Sequence, residues 1–162
     1  MDNKFWGTPF EVFQESFWYN TDLFKAANLA IPTPEWKWED HHNAAKALTK
    51  RSADGRAEQF GTMGNSWLDA IYEAGGEPVT ADGQGIQLDT PEAKAGFEEW
   101  YFYTGNGYAP LGDETKTFAG LHTGKVAIQA HGNYMWTTFR QAALDVGFDF
   151  GATLMPTGPG PA

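Results

Sequence analysis

Nineteen glycines and nine prolines cut this 162-residue chain into short pieces. Glycine lacks the Cβ that restrains the backbone, and proline has a fixed φ and no N–H, so both punctuate regular structure. No run of about 18 apolar residues survives between the breaks, so no transmembrane helix is expected. Length alone bounds the chain to one domain, and a hydrophobic fraction of 41% excludes disorder. The absence of cysteine excludes a disulfide framework, a Cys-ligated zinc and a Cys nucleophile. A net charge of −10 makes nucleic acid a poor partner, because phosphate contacts need clustered Lys and Arg.

The pieces read as alternating elements. Residues 10–19, FEVFQESFWY, predict a strand. Asn20-Thr21-Asp22 caps a short helix, LFKAAN, with Asn28 as its left-handed C-terminal residue. Ile31–Pro34 reads as an extended linker. Residues 38–50 predict a helix ending in Lys50-Arg51, with His41, Ala45 and Leu48 on one face. Ala53–Arg56 reads as a hairpin turn. Residues 66–74 predict a helix stopped by Gly75-Gly76, and polar turns run on to Asp89. Thr90-Pro91-Glu92 starts the next helix, which is expected to bury Ala93, Phe97 and Trp100 or Tyr101. Residues 113–121 and 133–145 read as helices, and 125–129 and 148–151 as strands. Pro156–Pro161 reads as an open linker with no core residues. Helices interleaved with short strands predict an α/β or α+β layer structure.

Catalytic chemistry leaves little trace. GxSxG, GxxxxGK[ST], GxGxxG and HExxH are all missing. His41 and His42 are neighbours, so on a helix they point apart; one is expected half-buried and one solvated. Ser52–Gly55 lacks the remaining ligands of a calcium loop. Glu98-Glu99 reads as a solvated helix face, and no pair of facing carboxyls of the glycosidase kind is indicated. No catalytic residue, metal ligand or cofactor is assigned.

Twelve Phe, seven Trp and six Tyr make up 15% of the chain. Phe24, Phe97, Trp100 and Phe139 sit at helical apolar spacing and are expected in the core. Trp67 follows the small polar loop Met63-Gly64-Asn65-Ser66, and Tyr134 and Trp136 follow His131-Gly132-Asn133. Glycine lets a ligand approach the backbone, and free N–H groups at a helix start bond hydroxyls. Aromatic faces edged by amides and carboxylates suit sugar rings, and Glu11 and Gln14 could supply such edges. Packing between elements is the competing role for Trp67, Tyr134 and Trp136.

The order of segments carries a resemblance. Gly7-Thr8-Pro9-Phe10 and Tyr19-Asn20-Thr21-Asp22-Leu23-Phe24 come first. Trp36-Lys37-Trp38-Glu39-Asp40 and Ala44–Lys50 follow, then Asp54-Gly55 with Phe60-Gly61. Gly75-Gly76, Leu88–Ala93, Gly124–Ile128 and Pro156–Gly160 complete the series. Together they resemble family 1 of the extracellular solute-binding proteins, the sugar-binding subunits of ABC importers. The resemblance implies one lobe of a periplasmic-binding-protein type II fold, with a short mixed sheet flanked by helices. It implies an incomplete second (C-terminal) lobe over 1–155 and a Pro/Gly-rich hinge-like tail over 156–162. It also implies an origin in the periplasm or at the cell surface. The N-terminal residues Met1–Trp6 carry no signal peptide, which fits a chain cut from a longer one.

By position, the resemblance places ligand contacts at Glu11, Phe13 and Gln14; at Asn65 and Trp67; and at Asn133, Tyr134 and Trp136. The implied partners are a sugar or oligosaccharide and, for the full-length protein, a membrane permease. A self-associating lobe, dimerising through its exposed cleft or strand edges, and a small glycoside hydrolase are the competing readings. Three positions depart from the family pattern: His41 replaces a large apolar residue, Asn28 a glycine, and Lys37 a capping Ser or Thr.

Overall fold

A computed structural model of the chain describes residues 7–9 and 11–159. The readings at Met1–Trp6, Phe10 and Gly160–Ala162 lie outside the described residues. In chain order come β1 (Glu15–Asn20), α1 (Thr21–Ala26), α2 (Trp38–Leu48), β2 (Lys50–Arg51) and β3 (Ala57–Gln59). They are followed by α3 (Trp67–Glu73), α4 (Pro91–Gly105), α5 (Glu114–Thr117), β4 (Ile128–Gly132), α6 (Trp136–Val146) and β5 (Phe150–Thr153). Single 3-10 turns, Leu121–Thr123 and Asn133–Met135, precede β4 and α6.

β1 is the centre of the sheet, with β4 on one side and β5 on the other. Both pairings are antiparallel, and parallel pairing among the described residues is confined to the isolated bridges Lys37–Thr157 and Phe60–Val126. Successive side chains of a strand point to opposite faces. Phe17 and Tyr19 therefore pack with Phe24, Leu48 and Ile128, under α1 and α2. Trp18 points the other way, onto Leu121 and Phe139 of the α6 side. The predicted α/β layering holds, with helices on both faces of the sheet.

Local signals placed several boundaries well. Asn20 Oδ1 accepts from the N–H groups of Asp22 and Leu23, both at 3.0 Å, and starts α1. Asn28 takes a left-handed φ of 54° just beyond the helix, as its position requires. Thr90 caps α4 through Ala93 N–H at 3.1 Å. At α2, Lys37 supplies no side-chain cap. The Asp40 carboxylate instead accepts from Lys37 N–H at 2.8 Å, while Lys37 Nζ donates to Thr157 Oγ1 at 2.7 Å.

Other boundaries moved for non-local reasons. β1 begins at Glu15 and leaves out Glu11–Gln14, because its partner β4 ends opposite it at Gly132. Lys50-Arg51 leaves the helix and forms β2. Thr49 turns extended, its hydroxyl donating to Ala45 O at 2.7 Å and accepting from Gly61 N–H at 3.0 Å. That contact needs glycine, since a Cβ on Gly61 would lie 1.9 Å from Ala45 O. The expected strand over 125–129 is divided: Val126 bridges to Phe60, and only from Ile128 does the segment join the sheet. The segment 156–158 is also less open than expected. Pro156 is buried, Thr157 N–H donates to Trp36 O at 2.9 Å, and Gly158 abuts Trp38.

The largest correction is the face of α4. It buries Ala93, Gly96, Glu99 and Tyr103, while Trp100 and Tyr101 are 44% and 63% exposed and Phe97 is half-buried. Small side chains decide this. A Cβ on Gly96 would sit 2.6 Å from Ile71 Cα, so α3 and α4 touch backbone to backbone there. That approach turns the large rings outward and carries Glu99, expected in solvent, to 4% exposure. Gly96→Ala should therefore destabilise the chain by about 1–3 kcal/mol despite alanine's better helix propensity. Chemical denaturation of the two proteins checks it, and an equal or higher midpoint for the variant would contradict the close-approach account.

Candidate functional site

Three segments that are distant in sequence meet at one end of β1. They are Glu15 of β1 itself, the Met63–Ser66 loop with Asp69 in the first turn of α3, and the β4–α6 connection. They enclose a cavity of about 310 Å³ bordered by Ala130, His131 and Tyr134. Burial, then the nearby Asp69 carboxylate, raise the Glu15 carboxyl above its ordinary pKa, and His131 partly opposes this. Tyr134 is 51% exposed and stands at the rim, edge-on to Phe13 and to His131, with ring centroids 5.3 Å apart in both cases. Its ring lies over Gly132, where any Cβ would collide with it at 2.2 Å. A half-exposed aromatic face beside carboxyl groups can stack on an apolar ring face and bond hydroxyls at its edge.

Three larger hollows lie elsewhere. One, of about 480 Å³, runs between Asp22, Arg140 and Phe148. Another, of about 600 Å³, lies between Arg56, Glu114 and Lys125. The third, of about 700 Å³, is a mostly apolar groove along α4 past Leu88, Phe97 and Tyr101. None of the three is lined by a residue that the sequence placed at the ligand site.

Of the residues expected to bind, Asn65 and Tyr134 line that cavity. Phe13 adjoins it through the Tyr134 ring, and Asn133 N–H donates to Gln14 O at 2.9 Å, tying the segment before β1 to the rim. Glu11 is exposed just upstream. Trp67 and Trp136 point elsewhere. Trp67 stacks on Phe97 at 5.7 Å, and Trp136 packs against Phe150 at 5.4 Å. Glu15, Asp69 and His131 were missed. Glu15 had a signal, a polar residue continuing the Phe17–Tyr19 face of a strand. Asp69 looked like an ordinary first-turn acid, which helix N-termini favour for other reasons.

The sequence matches the profile of bacterial extracellular solute-binding proteins over residues 2–162. The chain belongs to this family. Solved structures agree on the fold. A solute-binding protein of an ABC transporter from Thermotoga lettingae, bound to α-D-tagatose, has a TM-score of 0.73 at 20% identity, covering 91% of this chain and 40% of its own. A maltose/maltodextrin-binding domain from Bdellovibrio bacteriovorus, bound to maltotriose, has 0.69 at 20%, covering 89% and 37%. UgpB from Mycobacterium tuberculosis, in complex with glycerophosphocholine, has 0.67 at 22%, covering 91% and 36%. The chain thus spans well under half the length of each, and its α/β sheet and helices correspond to part of the periplasmic-binding-protein type II fold. No curated protein matches the sequence significantly. No helix among the described residues is long and apolar enough to cross a membrane.

Behind the cavity this family member carries a buried polar chain. Tyr103 OH donates to Glu99 Oε1 at 2.5 Å, and His42 Nε2 meets Glu99 Oε2 at 2.6 Å. Because the phenol spends its proton on Glu99, His41 Nδ1–H must donate to Tyr103 O, across 2.7 Å. His41 Nε2 is then the acceptor for Thr62 Oγ1–H, 3.0 Å away, and Thr62 Oγ1 in turn accepts from Gly64 N–H at 2.9 Å. Burial, then the neighbouring His42, push His41 down to about 3, so it stays neutral. Burial, then the Glu99 carboxylate, hold the Tyr103 phenol protonated.

Beside this chain, Glu73 at the end of α3 accepts from Trp38 Nε1 at 2.7 Å and from Asn65 Nδ2 at 3.0 Å. Burial pushes its carboxyl up to about 7; the two hydrogen bonds oppose the shift, and Glu99 and Asp69 add to it. The two buried groups tilt stability in opposite directions. Below its unfolded value of 6.5, His41 takes a proton only when unfolded, so stability falls with falling pH. Between 4.5 and about 7, Glu73 holds a proton only when folded, so stability falls with rising pH. Urea titrations from pH 4.5 to 7 should show Glu73→Gln losing stability toward acid and His41→Leu losing it toward neutral, each by about 1–3 kcal/mol. Parallel profiles for native protein and both variants would refute these assignments.

Proposed function

We propose that this chain is a carbohydrate-binding lobe of an ABC-importer substrate-binding protein, holding a sugar or oligosaccharide without chemistry. The carrying observation is the Tyr134 ring, set over Gly132 between Phe13 and His131, at the rim of a cavity with Glu15 and Asp69 inside. A sugar's C–H face would stack on the ring, and its hydroxyls would bond the carboxyls and the start of α3. Glu11, Gln14 and Asn133 flank the entrance. Trp67 and Trp136 are better placed to meet an opposing surface than this ligand. The lobe would occupy 1–155, with 156–162 leading to a hinge, and the full protein would work outside the membrane, delivering its ligand to a permease. The family and two of the three similar structures described above, solved with tagatose and with maltotriose, support a carbohydrate.

Since the chain spans well under half of such proteins, part of the contacts would be missing and affinity should be weak. We expect millimolar binding of maltotriose or tagatose, seen as NMR shifts at Tyr134, Gly132 and Ser66. Tyr134→Ala should weaken it about tenfold, a loss of about 1.4 kcal/mol. Maltotriose should be recovered intact, as it would not be from a glycoside hydrolase. Shifts caused by glycerophosphocholine and by neither sugar would overturn the carbohydrate assignment. A second reading, self-association, is favoured by the apolar groove of Leu88, Phe97 and Tyr101 along α4. It predicts a concentration-dependent mass in light scattering.

A further inference from the structure

We propose that Glu73 is a positioning residue for the cavity: its carboxylate, braced between Trp38 and Asn65, fixes the Met63–Ser66 wall, and a proton on Glu73 releases it. The consequence for ligand rests on the binding function proposed above; the wall's two forms do not.

The wall has two anchors. At its start, Thr62 Oγ1 accepts from Gly64 N–H and bonds His41, which is neutral throughout the ordinary pH range. At its end, Asn65 spends both ends of its amide. Nδ2 donates to Glu73 Oε1 at 3.0 Å, and Oδ1 accepts from Ser66 N–H at 2.8 Å. Ser66 Oγ in turn accepts from Leu68 N–H at 3.2 Å and starts α3, whose first turn carries Asp69 into the cavity. Rotation of the Asn65 amide would therefore break the bond to Glu73 and the bond to the helix cap together.

Glu73 faces two donors, so its ionised form accepts from both. Once protonated, one oxygen carries a hydrogen and becomes a poorer acceptor, so the contact it makes weakens. The groups around it leave little compensation. Asp69 of its own helix and Glu99 of α4 are acids, Tyr103 is a protonated phenol bonded to Glu99, and Trp38 of α2 is already a donor. The nearest histidines of α2 are spent elsewhere, His42 on Glu99 and His41 on Tyr103 and Thr62. Gly158 closes over the pair from outside, where a Cβ would lie 2.5 Å from Glu73 O and 2.7 Å from Trp38 Cζ2. With the carboxyl shifted to about 7, the change of state falls near neutrality.

The test follows ¹⁵N signals of the full chain from pH 5.5 to 8.5. The Trp38 indole, the Asn65 side-chain amide, and the backbone amides of Ser66 and Tyr134 should share one midpoint near neutrality. Glu73→Gln should abolish that midpoint at all four. Trp38→Phe, which removes a donor from the carboxylate, should raise it at Asn65 and Ser66, and this arm stands if the Gln variant does not fold. Maltotriose should bind at least threefold more tightly above the midpoint in the native chain and equally at both ends in Glu73→Gln. Flat Trp38 and Asn65 signals, or a midpoint there that Ser66 and Tyr134 do not share, would overturn the proposal. A shared midpoint without any maltotriose binding would support the positioning role and count against the carbohydrate reading alone.

Discussion

The run of hydrogen bonds from Thr62 through His41, Tyr103 and Glu99 to His42 holds three parts of the molecule in register. A histidine, a phenol and a carboxyl could not be buried, with a second histidine half-buried beside them, at tolerable cost unless every donor had an acceptor. Here the directions match from end to end. A phenol has one proton, which goes to Glu99, and that choice sets the tautomer of His41 and the role of Thr62. α2, α4 and the loop after β3 are thus located by geometry that apolar packing would leave looser. The arrangement also needs the small residues of α4. With a larger side chain at Gly96, the helix could not sit close enough to α3 for Glu99 and Tyr103 to be buried.

The run from Thr62 to His42 and the separate Trp38–Glu73–Asn65 bonds give the proposed wall one firm and one adjustable anchor. Thr62 is tied to a histidine that does not titrate near neutrality, whereas Asn65 is tied to a carboxyl that does. Glu15 and Asp69 face each other across the opening, and the first of them is already reluctant to ionise. For the proposed sugar ligand, the carboxyls of Glu15 and Asp69 and the imidazole of His131 would offer hydrogen-bond partners to its hydroxyls.

Much of the architecture is legible in the sequence because its signals are local. Asn20 and Thr90 cap helices by their own side chains, and Asn28 ends one by tolerating a left-handed φ. The order of motifs located the family. The features that escaped are set by partners far along the chain. The start of β1 depends on where β4 ends, which is more than a hundred residues away. The buried face of α4 depends on how near α3 approaches, and periodicity alone favoured the larger rings. Glu99 next to Glu98 reads as solvated until His42 and Tyr103 are brought to it. The candidate site divides in the same way: the glycine loops before Trp67 and Tyr134 are visible as sequence, while the carboxyls facing across from Glu15 and Asp69 become a pair only on folding.

The aromatic residues complete the argument. Phe17, Trp18, Phe24 and Phe139 are buried and account for the two faces of the sheet, while Phe60 packs apart from it with Phe118 and Val126. Trp67, Trp100, Tyr101, Tyr134 and Trp136 are exposed, and they lie on different elements, α3, α4, the rim of the cavity and α6. A single cavity the size of this one takes up Tyr134 and leaves the others uncovered. Exposed rings spread in this way favour contact with other surfaces, whether further chain or another protein. The net charge of −10 opposes indiscriminate association by mutual repulsion between copies. Any covering surface must therefore offer either compensating positive charge or an apolar face well matched to these rings. Because charge repulsion is screened by salt and ring burial is not, self-association of this chain should strengthen as ionic strength rises.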